Sequence, residues 1–384
     1  MMKPNKQLKI VYCTPSLYMA GGVERVLTLK ANYFADHYGY DVTIIVTDGK
    51  NKSSFFTLSD CVKVVNLDIN FEELWHRNFI MRVYQYVVKQ RQYKHALSKE
   101  LYRIHPDITI STLRREINFI SDIKDGSKKI GEIHINRAHY RNFTPNRSNL
   151  IKKLFAKFWM RGLLEHVKKL DRFVVLTEYD RQAWQEIPRV EVIPNPLPFY
   201  PIKVACSRRR RIIAVGRYFD EKGYDLLIKA WSIIEKECDD WELDIYGDGC
   251  KSYYERIVDD LNINRTRCRL NDSIKDVQKE YLDSSFFVCT SRFEGFGMGI
   301  IEAMACGLPV VAFDCLWGPR SIISDGEDGL LVENGNIVKL AETMLFLIYH
   351  PLTIAEMGQK AIINVSRFNI DTIAMKWKRL FESL

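Results

Sequence analysis

The sequence predicts two α/β domains, each built on a parallel sheet. Three observations predict this. Short apolar segments alternate with amphipathic helical stretches along the chain. The strand candidates are apolar on nearly every residue, as strands covered on both faces are. A proline-rich connector then divides the alternation near residue 200. The length of 384 residues fits the same division, because domains run to roughly 150 residues each.

The first unit opens as strand, glycine loop, helix, strand. "LKIVYC" is apolar and β-rich, and "AGGVERV" turns the chain. Val26, Leu27, Ala31 and Phe34 then recur at helical spacing, and "DVTIIVT" returns as a buried strand. A strand, a crossover helix and a second apolar strand make a right-handed βαβ unit. Further strands are expected at "VKVVNL", "DITIST", "KKIGEIHI", "RFVVLT" and "VEVIPN", with helices near 75–103, 149–170 and 179–186. The segment "PNPLPFYP" at 194–201 holds four prolines in eight residues and makes a stiff connector. Beyond it the pattern restarts with "RRIIAVG", "WELDIYG", "CRLND", "SFFVCTS", "LPVVAF" and "GLLVE", and a helical stretch from about 337 is interrupted at Pro351. The domains are therefore expected at 1–197 and 198–384, the last helix being a candidate to cross back to the N-terminal domain.

Composition narrows the classes. With 47% hydrophobic and 27% charged residues the chain is globular in character. Nine cysteines stand without a C-x-x-C pair, which excludes a zinc ribbon and points to a reducing compartment. No segment reaches the roughly 18 apolar residues of a membrane span. Charge is uneven: residues 1–200 carry 32 Lys/Arg against 20 Asp/Glu, net +12, while the remainder is net −4. A basic half implies an anionic partner. Residues 149–172 read as an amphipathic helix with six Lys/Arg between Lys152 and Lys169, suited to an anionic membrane surface or simply to packing on a sheet. The aromatic and basic stretch 75–103 carries no nucleic-acid signature, and no nucleic-acid partner is expected.

Ligands of doubly wound sheets bind beyond the carboxyl ends of the strands, and phosphates settle at helix N-termini. In "SRFEGFGMGIIEAMACGLPVVA", Glu294 and Glu302 bracket Gly295, Gly297 and Gly299, and a helix is expected from near Met298 to Gly307. Carboxylates accept bidentate hydrogen bonds from vicinal diols, the groups sugars and riboses present. On spacing alone, a glycine turn with one glutamate favoured by the helix dipole explains the segment equally well. In "RIIAVGRYFDEKGYDLLIKAW", Gly216 closes a strand, and Arg217 and Lys222 stand on one strand–helix loop, an arrangement suited to a diphosphate, although by itself a solvated charged loop, common between strand and helix, explains it as well.

Taken together, these segments resemble the family-4 retaining glycosyltransferases. The matching residues are "GGVERV" at 21–26, "VVLTEYD" at 174–180, "VIPNPL" at 192–197, "AVGRYFDEKG" at 214–223, "YGDG" at 246–249, "FEGFGMGIIEAMACGLPVVA" at 293–312 and "DGEDGLLV" at 325–332. The resemblance implies the GT-B fold, two Rossmann-like doubly wound domains facing across a cleft. The N-terminal domain would take the acceptor and the C-terminal domain the nucleotide-sugar.

It further implies roles, residue by residue. Glu302 would hold the ribose hydroxyls and Glu294 those of the transferred sugar. Phe296, Gly297, Met298 and Gly299 would offer backbone donors near the diphosphate and sugar. Arg217 and Lys222 would neutralise the diphosphate as it leaves, so that no metal and no cofactor beyond the donor substrate is called for. Gly216 and Gly247 would belong to the donor-binding loops, and Gly21 and Gly22 would let the N-terminal domain approach sugar and acceptor. His134 or His139 would supply an active-site histidine.

There are two departures. Thr177 stands where serine is frequent, and Asn271 stands where glycine is usual in the base-binding loop. Asp48 follows a strand end but is a poor candidate nucleophile, so front-face transfer through an oxocarbenium-like state is expected.

The expected activity is transfer of a hexose or N-acetylhexosamine, from a UDP-sugar first and a GDP-sugar next. The acceptor would be a glycan, lipid-diphosphate-linked, in surface-polysaccharide assembly at the inner face of the cytoplasmic membrane. A nucleotide-sugar epimerase or hydrolase, and a non-catalytic binding subunit, are the competing readings. A nicotinamide dehydrogenase is disfavoured because "AGGVERV" lacks the G-x-G-x-x-G spacing.

Overall fold

The computed structural model describes residues 7–76, 78–137, 140, 161–202, 209–274 and 276–384. Contacts divide the chain into two units, residues 1–196 with 370–384, and residues 197–369. Expected histidine His139 and the 149–160 part of the basic helix lie outside the described residues; 161–168 are helical, with Leu163 and Val167 buried.

Among the described residues, seven parallel strands build the first unit. They are β1 (Lys9–Thr14), β2 (Asp41–Val46), β3 (Val62–Asn66), β4 (Ile108–Ser111), β5 (Lys128–Glu132), β6 (Arg172–Val175) and β7 (Val190–Val192), in the order β3-β2-β1-β4-β5-β6-β7. Alternation along β1 shows why the sheet is covered twice. Ile10 and Tyr12 enter a core with Leu27, Ala31 and Phe34, whereas Val11 and Cys13 enter another with Tyr93 and Leu97. The helix Gly22–Tyr38 supplies the first cover and Phe79–Ile104 the second. Asn78 caps the latter by accepting from the Met81 amide at 3.0 Å. The helix Ile370–Glu382 joins the first cover, with Phe381 packed edge-on to Phe34 at 5.6 Å.

Among the described residues of the second unit, six parallel strands form its sheet: β8 (Arg211–Val215), β9 (Glu242–Gly247), β10 (Cys268–Asp272), β11 (Phe286–Cys289), β12 (Val310–Phe313) and β13 (Gly329–Val332), ordered β10-β9-β8-β11-β12-β13. Its order reverses between β8 and β11, where Phe286 pairs Ile212 and Phe287 pairs Ile213. Loops leaving two such strands part to opposite faces and open a crevice at their carboxyl ends. Pro351 does not break a helix; it starts one, Pro351–Val365, after Ile337–Tyr349 has ended.

Candidate active site

The loops leaving β8 and β11 bring together Arg217, Lys222, Ser291, Arg292 and Glu294. After β8 the chain passes Gly216 and Arg217, makes a short 3-10 turn at Asp220–Lys222, and enters the helix Tyr224–Glu237. Gly223 sits at φ +63°, and a Cβ there would stand 2.1 Å from the Thr290 carbonyl oxygen, so only glycine fits. After β11 the chain passes Ser291 and Glu294 and reaches Gly297, at φ +106°, which opens the helix Met298–Ala305. Arg292 ties the two loops together. Its guanidinium donates to the Asp220 carbonyl and to both Asp225 carboxylate oxygens at 2.9 and 2.8 Å.

Lys222 and Glu294 meet across this junction. The ammonium donates to Glu294 Oε1 at 2.5 Å, and Ser291 Oγ donates to the same oxygen at 2.6 Å. Burial works against the charge on Lys222, but the Glu294 carboxylate outweighs it and the ammonium pKa lies above its ordinary value. The pair keeps 23% and 12% of its side chains exposed, enough for a ligand to reach it. Arg217 is 57% exposed, bonded to Glu221 at 2.5 Å, with its guanidinium over the Phe219 ring.

Glu302 lies one turn into the helix Met298–Ala305. It is 4% exposed and accepts from the Tyr281 hydroxyl at 3.4 Å. Met298 is the first helical residue and half-buried. Phe296 is buried against Phe368, edge-on at 5.3 Å. Three of the expected site glycines have internal neighbours that need the missing side chain. A Cβ at Gly299 would meet Phe287 at 3.1 Å, one at Gly216 the Tyr224 hydroxyl at 2.8 Å, and one at Gly247 the Gly216 carbonyl at 2.0 Å. Their smallness thus serves loop and helix packing around the junction. Asn271 fits the strand β10, its carbonyl accepting from Tyr218 at 2.9 Å and its amide reaching Asp244 at 3.4 Å.

In the first unit, Gly21 caps the helix Gly22–Tyr38 in extended conformation, and Gly22 is exposed at its first turn. His134 follows β5 with its side chain 5% exposed and Nε2 3.3 Å from Glu132 Oε1. Burial first, then Lys30 and Arg114, lower its pKa to about 4, against the upward pull of Glu132. Thr177 keeps its hydroxyl at work, accepting from the Asp180 amide at 3.0 Å as the cap of the helix Glu178–Ala183. Asp48 is held in an ion pair with Arg115 at 2.6 Å and accepts from Thr47 Oγ1 at 3.0 Å, the setting of a structural carboxylate.

Sequence reasoning passed over Ser291, Arg292, Tyr281, Lys30 and Glu132. Lys30 did leave a signal. It falls with Leu27, Ala31 and Phe34 on the apolar face of its helix, where a charge needs a buried partner. Among the described residues no group of three or more His, Cys, Asp or Glu side chains is placed to hold a metal ion.

Known proteins share this architecture. The family described as glycosyl transferases group 1 matches residues 209–350. An uncharacterized glycosyltransferase of Haemophilus influenzae is 30% identical over 384 positions, 96% of this chain and 99% of that protein. A poly(ribitol-phosphate) α-N-acetylglucosaminyltransferase of Staphylococcus aureus is 30% identical over 262 positions, 67% of this chain and 51% of that enzyme. A crystal structure of an S. aureus TarM variant with fondaparinux, α-GlcNAc-glycerol and UDP superposes with a TM-score of 0.77 at 19% identity, over 97% of this chain and 99% of that one. The likeness gives the GT-B fold.

Proposed function

Because the chain belongs to the group 1 glycosyltransferases, the family-4 retaining enzymes of GT-B fold, we propose that it moves a hexose or N-acetylhexosamine from a UDP-sugar to a glycan acceptor in surface-polysaccharide assembly. The observation that carries this reading is the Lys222–Glu294–Ser291 junction at the point where the strand order reverses. UDP as the donor nucleotide is supported by the UDP bound in the TarM variant, and a polymeric acceptor by the name of the S. aureus relative.

The roles follow from chemistry. Lys222 and Arg217 neutralise the diphosphate as the bond from sugar C1 to its oxygen breaks. Two fixed cations provide that charge without a metal ion. Amides at the start of the helix Met298–Ala305 face the same anion. Glu302 takes the ribose diol, and Glu294 takes a hydroxyl of the sugar, held in place by Lys222 and Ser291. The acceptor hydroxyl attacks C1 on the face the diphosphate leaves, and its proton passes to the departing phosphate oxygen. Configuration is thereby kept. For His134, which follows β5 in the first unit, we propose a part in transfer.

A lipid-diphosphate-linked acceptor would bring the enzyme to the inner face of the cytoplasmic membrane. The helix Phe79–Ile104 supports that location. Met81, Val83, Tyr84, Val87 and Val88 are exposed on it, Arg82 and Arg91 flank them, and no acidic residue occurs from 79 to 99. Apolar side chains with basic neighbours suit an anionic leaflet. The chain should sediment with anionic but not neutral vesicles, reversibly with salt, and less after Tyr84→Asp. Binding indifferent to lipid charge would count against this.

The decisive test is nucleoside-diphosphate release from a panel of UDP- and GDP-sugars, with and without a lipid-extract acceptor. Acceptor-dependent release from one donor is expected. Glu294→Ala should abolish it while calorimetry still registers donor binding. Near-wild-type transfer by that variant would remove Glu294 from the site.

A further inference from the structure

We propose that Lys30 and Glu132 form a positioning pair that fixes the ring orientation and tautomer of His134, with Trp377 of the helix Ile370–Glu382 closing over the lysine. The inference rests on the reading that His134 takes part in transfer. Lys30 donates to Glu132 Oε1, the two side chains being 1% and 2% exposed, and that same oxygen stands 3.3 Å from His134 Nε2. The Trp377 ring lies 4.5 Å from the ammonium and the Tyr12 ring 5.7 Å. Both His134 nitrogens, Glu132 Oε2 and the Tyr12 hydroxyl are buried without a hydrogen-bond partner among the described residues.

Stability alone does not explain this cluster. Apolar residues of equal volume usually serve a core as well as a buried ion pair does. Here the pair shares its carboxylate oxygen with an imidazole in a functional loop. A carboxylate 3.3 Å from Nε2 favours the proton on that nitrogen by charge rather than by a closed hydrogen bond, and leaves Nδ1 to accept from a hydroxyl.

Charges around the ring set its protonation. Glu132 faces it from β5, Lys30 from the helix Gly22–Tyr38 and Arg114 from the loop after β4; β1 adds Tyr12 and the helix Ile370–Glu382 the uncharged Trp377. Burial and the two cations outweigh Glu132, and the ring stays neutral. Without Lys30, burial and Arg114 remain, but the Glu132 carboxylate loses the cation that neutralises it, and the balance at the ring moves toward the protonated form.

Histidine-labelled full-length chain, followed by NMR with the signal assigned through His134→Gln, tests this directly. In the wild type, His134 should show one tautomer and no titration from about pH 5.5 to about 8.5. In Lys30→Met it should titrate within that range, and kcat should fall as pH drops through the new midpoint. In Lys30→Met/Glu132→Gln it should again not titrate, should populate both tautomers, and kcat should fall about tenfold at unchanged KM.

A folded Lys30→Met whose His134 keeps one tautomer and does not titrate would overturn the proposal. So would a single tautomer in the double variant, which leaves no lone buried charge and decides the matter if Lys30→Met fails to fold. Should the NMR behave as expected while kcat matches wild type throughout, the pair stands and the role of His134 in transfer falls.

Discussion

Lys222–Glu294 and Lys30–Glu132 join the same two groups, yet the first pair keeps 23% and 12% of its side chains exposed and the second only 1% and 2%. Both lysines feel burial and a carboxylate in opposition. At Lys222 the carboxylate prevails and the pKa rises; at Lys30 burial prevails and it falls. An ion pair at a loop junction can exchange its partner for a ligand's phosphate or hydroxyl. One sealed beneath a tryptophan cannot, and can act only on what it touches. Burial, rather than residue type, separates a site that binds from a support that orients.

The contrast can be broken at either end. Lys30→Met should cost about 3–5 kcal/mol of stability at a pH above the midpoint at which His134 takes its proton, because Glu132 is then a lone buried charge. Denaturant unfolding measures it, and a loss below about 1 kcal/mol would make the sealed pair as replaceable as a surface one. Lys222→Ala should spare stability to within about 2 kcal/mol while lowering kcat by about 10²–10³. Equal losses of stability in the two variants would erase the distinction.

A third test uses Asp180, buried in the first unit, whose pKa burial pushes up to about 7 against the Thr177 hydrogen bond. An acid raised on folding is favoured when protonated. Its contribution is therefore full below the unfolded value of 3.8 and lost as pH rises through about 7. Asp180→Asn should remove that decline and gain on the order of 2–4 kcal/mol at pH 8 relative to wild type. A pH–stability profile unchanged by the substitution would contradict it. The smallest effect is expected from Ser291→Ala, which removes one neutral donor from Glu294 and should cost about 1 kcal/mol of transition-state stabilisation. Steady-state kinetics resolve such a fivefold change (about 1 kcal/mol).

The strands were legible because burial on both faces writes itself as uninterrupted apolar runs. Each of the thirteen expected segments, from "LKIVYC" to "GLLVE", overlaps an observed strand. Glu294 and Lys222 were legible through their glycine-rich loops, and the junction between them depends on strand order, which local sequence only suggests. Lys30 and Glu132 were harder, since a buried charge and a surface charge are spelled alike. What distinguishes Lys30 is its helical phase, and for Glu132 the neighbouring β5 residues offer no comparable sign. Gly299 and Gly216 read as ligand-facing glycines, whereas contacts with Phe287 and Tyr224 also require them small.

The helix Ile370–Glu382 has a consequence for how the protein is made. Ile373, Trp377 and Phe381 complete the core around Phe34, but a ribosome reaches them only after translating residues 197–369. At about 5–20 residues per second, the nascent first unit would wait roughly 10–35 s with that apolar face uncovered. The second unit can finish folding in the meantime. The unit begun first is therefore closed last, and a chaperone that shields Phe34 during the interval would govern the yield.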